Sequence, residues 1–472
     1  MLALIAAYVA YFTNRSLDVH HGLGTSSYDS GLYDQGVWLL SRGRAPFVTL
    51  MGRNLFGDHA SFILVGLVPF YWIAAGAWIL FFSQSLLLGA AAFPLYAYAR
   101  RALRSDWLGV LFGATFLLHP AVSWTNLENF HPDSYVGLFI GIALLGALER
   151  RWTVYWIGVV LALLVKEDVA LVVVPLGIWV AASRSARRGL LTISLAAAIA
   201  LIGTLGVMRS LTGHATRNAW RIPFGGPWGF VRTCFTDPTR IADHFRSDGR
   251  PWYLWQMLAP TGFMFWRRWG VAAISGLVLF TNVLSTYWYQ YHVQYHYSLI
   301  AVPALLFGTV YGLAQLPSSG RWNNRHLAGL VGLCALASAY AWAPFPGAPK
   351  EPVTWPPSHP VAIAARELIA DVPAGAAVAA HYAIAPHLAY RSEIYQFPNP
   401  FRIVLYGPDT TLEGTREVAR AERVEYVFLQ VSKDPEAATD WAVIAPAFEL
   451  VSANDWWELW RRDPTVPLPA LP

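Results

Sequence analysis

Small arginine clusters separate the apolar runs of this sequence, and their order constrains the fold more than any other feature. Apolar runs divided by short basic segments are typical of a chain that crosses a membrane repeatedly, with arginine kept on the cytoplasmic side. Only 13% of the 472 residues are charged, whereas soluble domains carry about 25% charged residues, so the composition excludes a water-soluble globule. The clusters are Arg100, Arg101 and Arg104; Arg150 and Arg151; Arg184, Arg187 and Arg188; Arg267 and Arg268; Arg321 and Arg325.

If every cluster lies on the cytoplasmic side, the sequence predicts a polytopic α-helical membrane protein of about eleven transmembrane helices, with its N-terminus inside and its C-terminus outside. The segment from Ser61 to Ile73 is too short to cross, since a crossing takes about 20 residues. We expect it to form a membrane-apposed helix in the first external loop. The predicted crossings are residues 1–13, 76–99, 106–124, 134–149, 152–165, 168–183, 189–209, 254–266, 270–285, 298–316 and 327–343.

The last part of the chain has a different composition and predicts a separate domain. A proline-rich run begins at Pro344 and is followed by one helical pattern, VAIAARELIAD, and by the strand patterns AAVAAHYA, VEYVFLQV and FELVSA. Alternating short strands and helices indicate a small α/β domain. The sequence therefore predicts a transmembrane domain over residues 1–343 and an extracytoplasmic α/β domain over residues 344–472.

Two aspartates stand in the first predicted external loop, in the stretch TSSYDSGLYDQGVW. A charge near lipid is costly and usually has a partner or a function. In a helix, Asp29 and Asp34 would point in different directions, so one could face a cavity while the other caps or pairs. The alternative is that both are solvated loop acids, with Asp29 as an N-cap.

Two more polar motifs fall on the same predicted face. FGDHASF places His59 at the start of the membrane-apposed helix, where backbone N–H groups favour a phosphate, although an interfacial histidine needs no such function. ENFHPDS brings Glu128, His131 and Asp133 into one short loop, and all three are residue types that bind divalent cations. Of these, Glu128 and His131 are the favoured functional residues. Turn and cap chemistry around His131-Pro132-Asp133 is the alternative.

The motif KED is the sharpest polar interruption of an apolar run. Lys166, Glu167 and Asp168 lie between Val154 and Val180, with arginines beyond both ends. A hairpin with KED at its outer tip keeps both arginine clusters inside, and the tip would then lie in a protein-lined cavity. A self-neutralising Lys–Glu pair is the alternative.

A third group combines histidines and arginines that could meet a phosphate. In YWYQYHVQYHY, His292 and His296 are four residues apart and would share one face of a helix, although an aromatic belt would explain the tyrosines. Arg217 and Arg221 lie in a predicted external loop, against the positive-inside bias, where arginine suits a phosphate group. Lipid headgroups would explain these arginines equally well.

The sequence resembles a family of bacterial predicted membrane proteins, domain of unknown function 2079. The likeness rests on YDSGLYDQGVWLLSRGRAPF, NLFGDHASFILVGLVPFYWI, ENFHPDS, KED and the tail segment VPAGAAVAAHYAIAPHLAYRSEIYQFPNP. The layout resembles, more distantly, the C-type (GT-C) glycosyltransferase superfamily. At the start of the membrane-apposed helix, where that superfamily usually has His-Pro-Pro, this chain has DHASF.

This resemblance implies a glycosyltransferase of the bacterial inner membrane that moves a sugar from a polyprenyl-phosphate donor to a glycan, lipid or protein acceptor on the outer face. Asp29 would be the base, with Asp34 as the second candidate. A divalent metal (Mg, Mn or Ca) would bind at Glu128, His131, Glu167 and Asp168. The phosphate would meet His59, Lys166, His292, His296, Arg217 and Arg221.

Two other functions fit parts of the sequence. A transporter or flippase for a lipid-linked or anionic substrate would use the KED motif, but the inner loops have few polar groups for alternating access. A non-catalytic scaffold would bind cell-wall components through the outer domain and would not need its acidic groups to converge. The basic residues are too dispersed to predict a nucleic-acid partner.

Overall fold

The computed structural model describes residues 1–213, 219–317, 323–404 and 412–471. The chain divides into two compact units. The first unit contains residues 1–14, 59–63 and 81–352, and the second contains residues 15–58, 64–80 and 353–472. The second unit is therefore assembled from segments far apart in the sequence, whereas the predicted division at residues 343 and 344 was a single cut along the chain.

The first unit is helical in the part of the chain that the structure describes. Its helices follow the apolar runs because backbone groups that leave water must pair within their own segment. Val136–Leu148 is almost entirely buried, as expected of a helix that is apolar on every side. Its α-helices are Leu2–His21 (continuing into the second unit), Ala77–Ala90 (beginning there), Ala92–Ala102, Asp106–Leu118, Pro120–Leu127, Val136–Leu148, Trp152–Leu163, Ala170–Ser183, Ala186–Leu201, Arg209–Thr212, Pro227–Thr236, Pro238–Arg246, Arg250–Leu258, Trp269–Ala272, Gly276–Leu284, Val302–Leu313 and Asn324–Trp342.

Three helical segments among the described residues are long and apolar enough to cross a membrane: Ala77–Ala102, Ala186–Thr212 and His296–Leu313. Two bent pairs raise the number to five if each pair counts as one span. The predicted total of about eleven crossings is not confirmed. Most of the other predicted runs form apolar helices that are shorter than a full crossing.

Two apolar regions contain a sharp bend between consecutive helices. Asp106–Leu118 and Pro120–Leu127 meet at 51°, with Pro120 at the break. Proline removes a backbone donor and clashes with the preceding turn, so an apolar run continues through a point where the helix turns. Arg250–Thr261 and Met264–Leu284 meet at 73°. Gly262 and Phe263 separate them, both with positive φ, in a region predicted as two crossings.

The segment predicted to lie against the membrane is helical. Phe62–Leu67 forms a 3-10 helix and continues as the α-helix Val68–Ala74. Its apolar side chains include Trp72 at 66% and Ile73 at 84% exposure, which is the surface that an interfacial helix presents to lipid. Its contact with a membrane stays a prediction.

The second unit is built around a five-stranded mixed sheet. Its strands are β3 (Val378–Ala380), β4 (Ile394–Gln396), β5 (Tyr426–Gln430), β6 (Phe448–Ala453) and β7 (Trp457–Arg462), in the order β4-β3-β5-β7-β6, after a short hairpin of β1 (Phe47–Val48) and β2 (Arg53–Asn54). Strand β3 pairs in parallel with β4 and β5, whereas β7 runs antiparallel to its neighbours. The α-helices of this unit are Leu32–Ser41, Leu55–Asp58, Val68–Ala74, Pro360–Ala370, Val418–Ala421 and Pro435–Ile444.

The first loop is bound to the edge of this sheet by a buried polar network. The Thr49 hydroxyl donates to the Ile394 carbonyl (2.6 Å) and accepts from the Ile394 N–H (3.0 Å). The Gln35 amide donates to Thr49 Oγ1 (2.9 Å) and to the carbonyls of Arg391 and Ser392. A buried amide that lost these partners would be expensive, so the loop and the tail stabilise each other.

Candidate active site

A cavity of about 600 Å³ lies within the first unit and has both charged and apolar walls. Its charged residues are His59, Lys166, Glu167, Asp168 and Arg221. The apolar wall includes Leu171, Ala200, Met208, Ile222, Pro227 and Leu284. A cavity with both kinds of wall suits an amphipathic ligand that has an anionic group and an apolar chain.

The KED motif reaches the cavity from a break between two apolar helices. Trp152–Leu163 ends before the motif, and Ala170–Ser183 begins after it. Lys166 has an extended backbone and precedes the short 3-10 helix Glu167–Val169. The predicted interruption of the apolar run is therefore present, and its three polar side chains line the cavity.

Lys166 is held between two carboxylates. Its Nζ lies 3.5 Å from Asp133 Oδ1 and 3.4 Å from Asp168 Oδ2, and 5.8 Å from the centre of the Tyr297 ring. Burial would lower the pKa of Lys166, but Asp133 and Asp168 outweigh it, so the pKa lies well above its usual value. The side chain is 4% exposed, and it is a permanent cation whose charge is already balanced.

Glu167 binds a different partner. Its Oε1 lies 2.7 Å from His59 Nδ1, and its Oε2 accepts the backbone N–H of Ala60 at 3.0 Å. Burial would raise the pKa of Glu167, but His59 outweighs it and the pKa is lowered. Both carboxylate oxygens are thus engaged in fixing His59 at the cavity.

Arg221 is the remaining cation of the cavity wall. Its guanidinium lies 4.3 Å from the centre of the Tyr287 ring and 5.7 Å from that of Tyr297. The Thr286 N–H donates to the Arg221 carbonyl at 2.7 Å and fixes its backbone. Arg217, the other arginine predicted to contact phosphate, lies outside the described residues.

Glu128, His131 and His296 form a second polar group in the first unit. Glu128 Oε2 lies 3.3 Å from His296 Nδ1 and 3.7 Å from His131 Nδ1. The two imidazole rings stack with centroids 3.7 Å apart. One candidate ligand atom from each residue lies within 4.8 Å of the others, so the three side chains could close on one metal ion.

Gln84 explains why the ENFH turn presents these groups. This fully buried side chain donates to the carbonyls of Asn129 (2.9 Å) and Asn126 (3.3 Å), and it accepts the His131 N–H (3.0 Å). Its amide therefore satisfies the backbone groups left between the helix that ends at Leu127 and the 3-10 helix that begins at Pro132.

The donor set tests which metal would fit. Two imidazole nitrogens and one carboxylate oxygen suit Zn²⁺ or Mn²⁺ better than Mg²⁺ or Ca²⁺, which prefer oxygen ligands. The residues fit a transition-metal ion, and the binding of Mg²⁺, Mn²⁺ or Ca²⁺ stays a prediction.

The predicted four-residue metal set does not form in the described part of the chain. Glu128 and His131 join His296, whereas Glu167 and Asp168 belong to the separate ion pairs with His59 and Lys166. The physical reason is electrostatic. Glu167 already pairs with His59, and Asp168 already pairs with Lys166. The sequence placed all four acids and histidines on one face but could not show which opposite charges would pair.

The prediction that His292 and His296 share a helix face is wrong. Trp288–Tyr291 is one 3-10 turn, His292 is extended, and His296–Ala301 is another 3-10 helix. His292 Nδ1 bonds the Trp288 carbonyl at 2.7 Å. Close ring packing, such as that of Tyr289 against Tyr295 at 4.4 Å, accompanies this break into turns. Of the two histidines of this segment, His296 is the one that lies near Glu128.

The two aspartates of the first loop lie in the second unit. Asp29 is half-buried in the π-helical turn Ser27–Gly31, whose N-cap is Ser26. Asp34, on the helix Leu32–Ser41, is 1% exposed and accepts hydrogen bonds from Tyr71 (2.5 Å) and Tyr390 (2.8 Å). Burial raises the pKa of Asp34 to about 7. Both oxygens of Asp34 are occupied by these hydrogen bonds.

Asp133 was recognised in the ENFHPDS motif but was given no role in the predicted site, and Tyr297 was missed. Asp133 is 1% exposed and provides the carboxylate opposite Lys166. One signal for Asp133 was available in the sequence. Asp133 and Lys166 carry opposite charges in two different apolar regions, and buried charges in a membrane protein usually pair with each other. Tyr297 had no such signal within its run of tyrosines.

The profile of the family "Predicted membrane protein (DUF2079)" matches residues 19–463. The chain belongs to the DUF2079 family. No curated protein matches this DUF2079 protein significantly. The family assignment confirms the resemblance predicted from the sequence and confirms a membrane protein.

Solved structures extend the comparison to the fold. Two crystal structures of ArnT from Cupriavidus metallidurans match this DUF2079 protein with TM-scores of 0.57 at 12% identity. One is bound to undecaprenyl phosphate and covers 97% of both chains, and the other is the apo state and covers 98% of both. The likeness confirms the distant GT-C resemblance at the level of the fold. Arabinofuranosyltransferase AftD from Mycobacteria matches at a TM-score of 0.47 and 16% identity, over 97% of this chain and 40% of that chain.

Proposed function

We propose that this protein is a glycosyltransferase that takes a sugar from a polyprenyl-phosphate donor and transfers it to an acceptor on the outer face of the membrane. The observation that supports the proposal most directly is the cavity of about 600 Å³, in which Arg221, Lys166 and His59 meet an apolar wall. The likeness of its fold to that of ArnT also supports the proposal. The donor combines the two matching features, a phosphate and a long apolar chain.

The chemistry of transfer requires an acceptor hydroxyl and two groups from the protein, a carboxylate and a cation. An acceptor hydroxyl attacks the anomeric carbon, the bond from that carbon to the phosphate oxygen breaks, and polyprenyl phosphate leaves as an anion. A carboxylate must take the hydroxyl proton, and a cation must stabilise the charge that develops on the phosphate. The cavity supplies a cation in Arg221.

Asp29 is our candidate for the base. Its position in the sequence corresponds to the acid of the first external loop in the GT-C superfamily. It is half-buried on a short π-helical turn, whereas Asp34 is 1% exposed. Asp34 would then act structurally through Tyr71 and Tyr390.

Glu128, His131 and His296 would hold a divalent ion. When bound, such an ion neutralises negative charge and polarises phosphoryl oxygens. Within the chain, Glu128 orients both imidazoles through their Nδ1 atoms, while the next residue, Tyr297, lines the cavity. This arrangement would connect metal binding to the shape of the donor site.

The test is turnover by the purified full-length protein in nanodiscs. A panel of polyprenyl-phosphate sugars labelled in the sugar is supplied with membrane extract as the source of acceptors, with and without Mn²⁺ or Zn²⁺. We expect transfer of label from at least one donor to an acceptor and release of polyprenyl phosphate. Binding of donors without any turnover across the panel and the extract would contradict a transferase and favour transport.

A further inference from the structure

The cations of the cavity differ in how completely their charges are compensated. Lys166 lies between Asp133 at 3.5 Å and Asp168 at 3.4 Å. Two carboxylates at these distances more than balance one ammonium group, and its side chain is only 4% exposed. Lys166 therefore acts as an internal counter-ion, although the sequence predicted a phosphate contact for it.

His59 is also paired within the protein. Glu167 binds it at 2.7 Å and is fixed in turn by the backbone N–H of Ala60 at 3.0 Å. If the imidazole is protonated, the Glu167 carboxylate cancels its charge. This pair adds hydrogen-bonding groups to the cavity wall and no net positive charge.

Arg221 is different. Of the described residues that line the cavity, it is the one cation with no carboxylate partner within the described chain. Its Nε is buried and has no hydrogen-bond partner there. Its guanidinium lies over the rings of Tyr287 and Tyr297, at 4.3 and 5.7 Å. Aromatic faces hold a guanidinium in a fixed plane while its N–H groups stay available for an anion.

We propose that Arg221, supported by Tyr287 and Tyr297, is the phosphate anchor of the cavity, and that its single uncompensated charge selects a phosphodiester on an apolar chain over a diphosphate. This inference rests on the proposed function, because it names the linkage of the donor. A sugar joined to a lipid through one phosphate carries one negative charge, whereas a diphosphate linkage carries two. A second charge would face Asp168 and Glu167 without a matching cation.

Binding is measured without turnover, so that this inference and the proposed function can fail separately. The full-length protein in phosphatidylcholine nanodiscs is titrated with three ligands of equal chain length: a polyprenyl methyl phosphodiester, a polyprenyl diphosphate and the neutral polyprenol. Competition with phosphatidylglycerol and with soluble dimethyl phosphate distinguishes a carrier lipid from a bulk headgroup and from a free phosphate ester. The variants are Arg221→Gln and Arg221→Lys, with Arg232→Gln, an exposed arginine of the same region that does not line the cavity, as the matched control.

We expect the phosphodiester to bind more tightly than the diphosphate and about 10-fold more tightly than polyprenol, because a hydrogen bond to a charged group is stronger than one between neutral groups. Arg221→Gln should lose this 10-fold preference, Arg221→Lys should lose part of it, and Arg232→Gln should keep it. Retained polyprenol binding shows that a variant is folded. The wild-type comparison of ligands needs no variant.

Three results would overturn the inference: phosphodiester affinity unchanged in Arg221→Gln, a diphosphate bound as tightly as the phosphodiester or more tightly, or equal displacement by phosphatidylglycerol or dimethyl phosphate. Sugar transfer that persists in Arg221→Gln would leave the proposed function intact while removing this anchor. Selective phosphodiester binding by a protein that transfers no sugar would support the anchor and contradict the proposed function.

Discussion

Asp34 and Tyr390 are 356 residues apart in the sequence and are joined by a hydrogen bond of 2.8 Å from the tyrosine hydroxyl to Asp34 Oδ2. Tyr71 donates to the other oxygen at 2.5 Å. A carboxylate that is 1% exposed is thus shared by three separate segments of the second unit. Its protonation state should therefore affect the stability of that unit.

The first prediction concerns pH. Burial raises the pKa of Asp34 from 3.8 to about 7. The folded protein binds this proton more tightly than the unfolded chain does, so the stabilising contribution is complete below pH 4 and is lost as the pH rises through about 7, by roughly 4 kcal/mol. We expect the wild type to melt at a lower temperature at pH 8 than at pH 5. Asp34→Asn should flatten this difference, whereas Asp371→Asn, an exposed control, should not.

The second prediction concerns the base. Asp29→Asn should reduce sugar transfer by at least about 100-fold, since general base catalysis contributes about 10²–10⁴. Donor binding and melting temperature should stay close to those of the wild type, because the half-buried side chain keeps its shape. Asp18→Asn, an exposed aspartate of the first helix, serves as the control. Full transfer by Asp29→Asn at normal expression would remove Asp29 from the mechanism.

The third prediction concerns metal. Glu128→Gln removes the oxygen that faces both His131 and His296, so we expect at least about 10-fold weaker binding of Zn²⁺ or Mn²⁺. Metal content after dialysis, measured by mass spectrometry, provides the readout independently of activity. Glu351→Gln, an exposed glutamate of the same unit, should retain the metal of the wild type. Equal metal content in both variants would argue against this site.

The fourth prediction concerns Lys166. Lys166→Met leaves the buried carboxylate of Asp133 without its cation, and breaking a buried pair costs about 3 kcal/mol. The double variant Lys166→Met with Asp133→Asn should recover part of this loss, because it removes one uncompensated charge. Thermal unfolding in nanodiscs gives both values, with Lys350→Met as the exposed control. A double variant no more stable than Lys166→Met alone would show that the two side chains are not coupled.

Much of the secondary structure was predictable because it follows composition. The apolar runs become helices, KED falls between Trp152–Leu163 and Ala170–Ser183, and three tail strands lie where alternating residues predicted them. Strands β4 (Ile394–Gln396) and β7 (Trp457–Arg462) were missed, although β4 pairs with β3, and β7 pairs with β5 and β6. A strand rich in charge and tryptophan has no pattern of its own to distinguish it.

The pairing of polar groups was not predictable in the same way. The sequence identified Glu128, His131, Lys166, Glu167 and His296 as unusual, but long-range contacts decided their roles. Gln84 determines the turn that presents His131, and no periodicity in the chain identifies such a residue. Sequence patterns indicate which polar side chains are costly to bury, whereas the structure shows which of them pair with one another through hydrogen bonds and ion pairs.

The discontinuous second unit has a consequence for biosynthesis. Gln35 and Thr49 leave the ribosome between 345 and 357 residues before their hydrogen-bond partners Arg391, Ser392 and Ile394. Until then the polar groups of the first loop lack these partners and stay exposed to water, proteases and chaperones. A nascent chain released before residue 396 would therefore expose its first loop as the signal of an incomplete protein, and quality control could act on it before the membrane helices themselves show any defect.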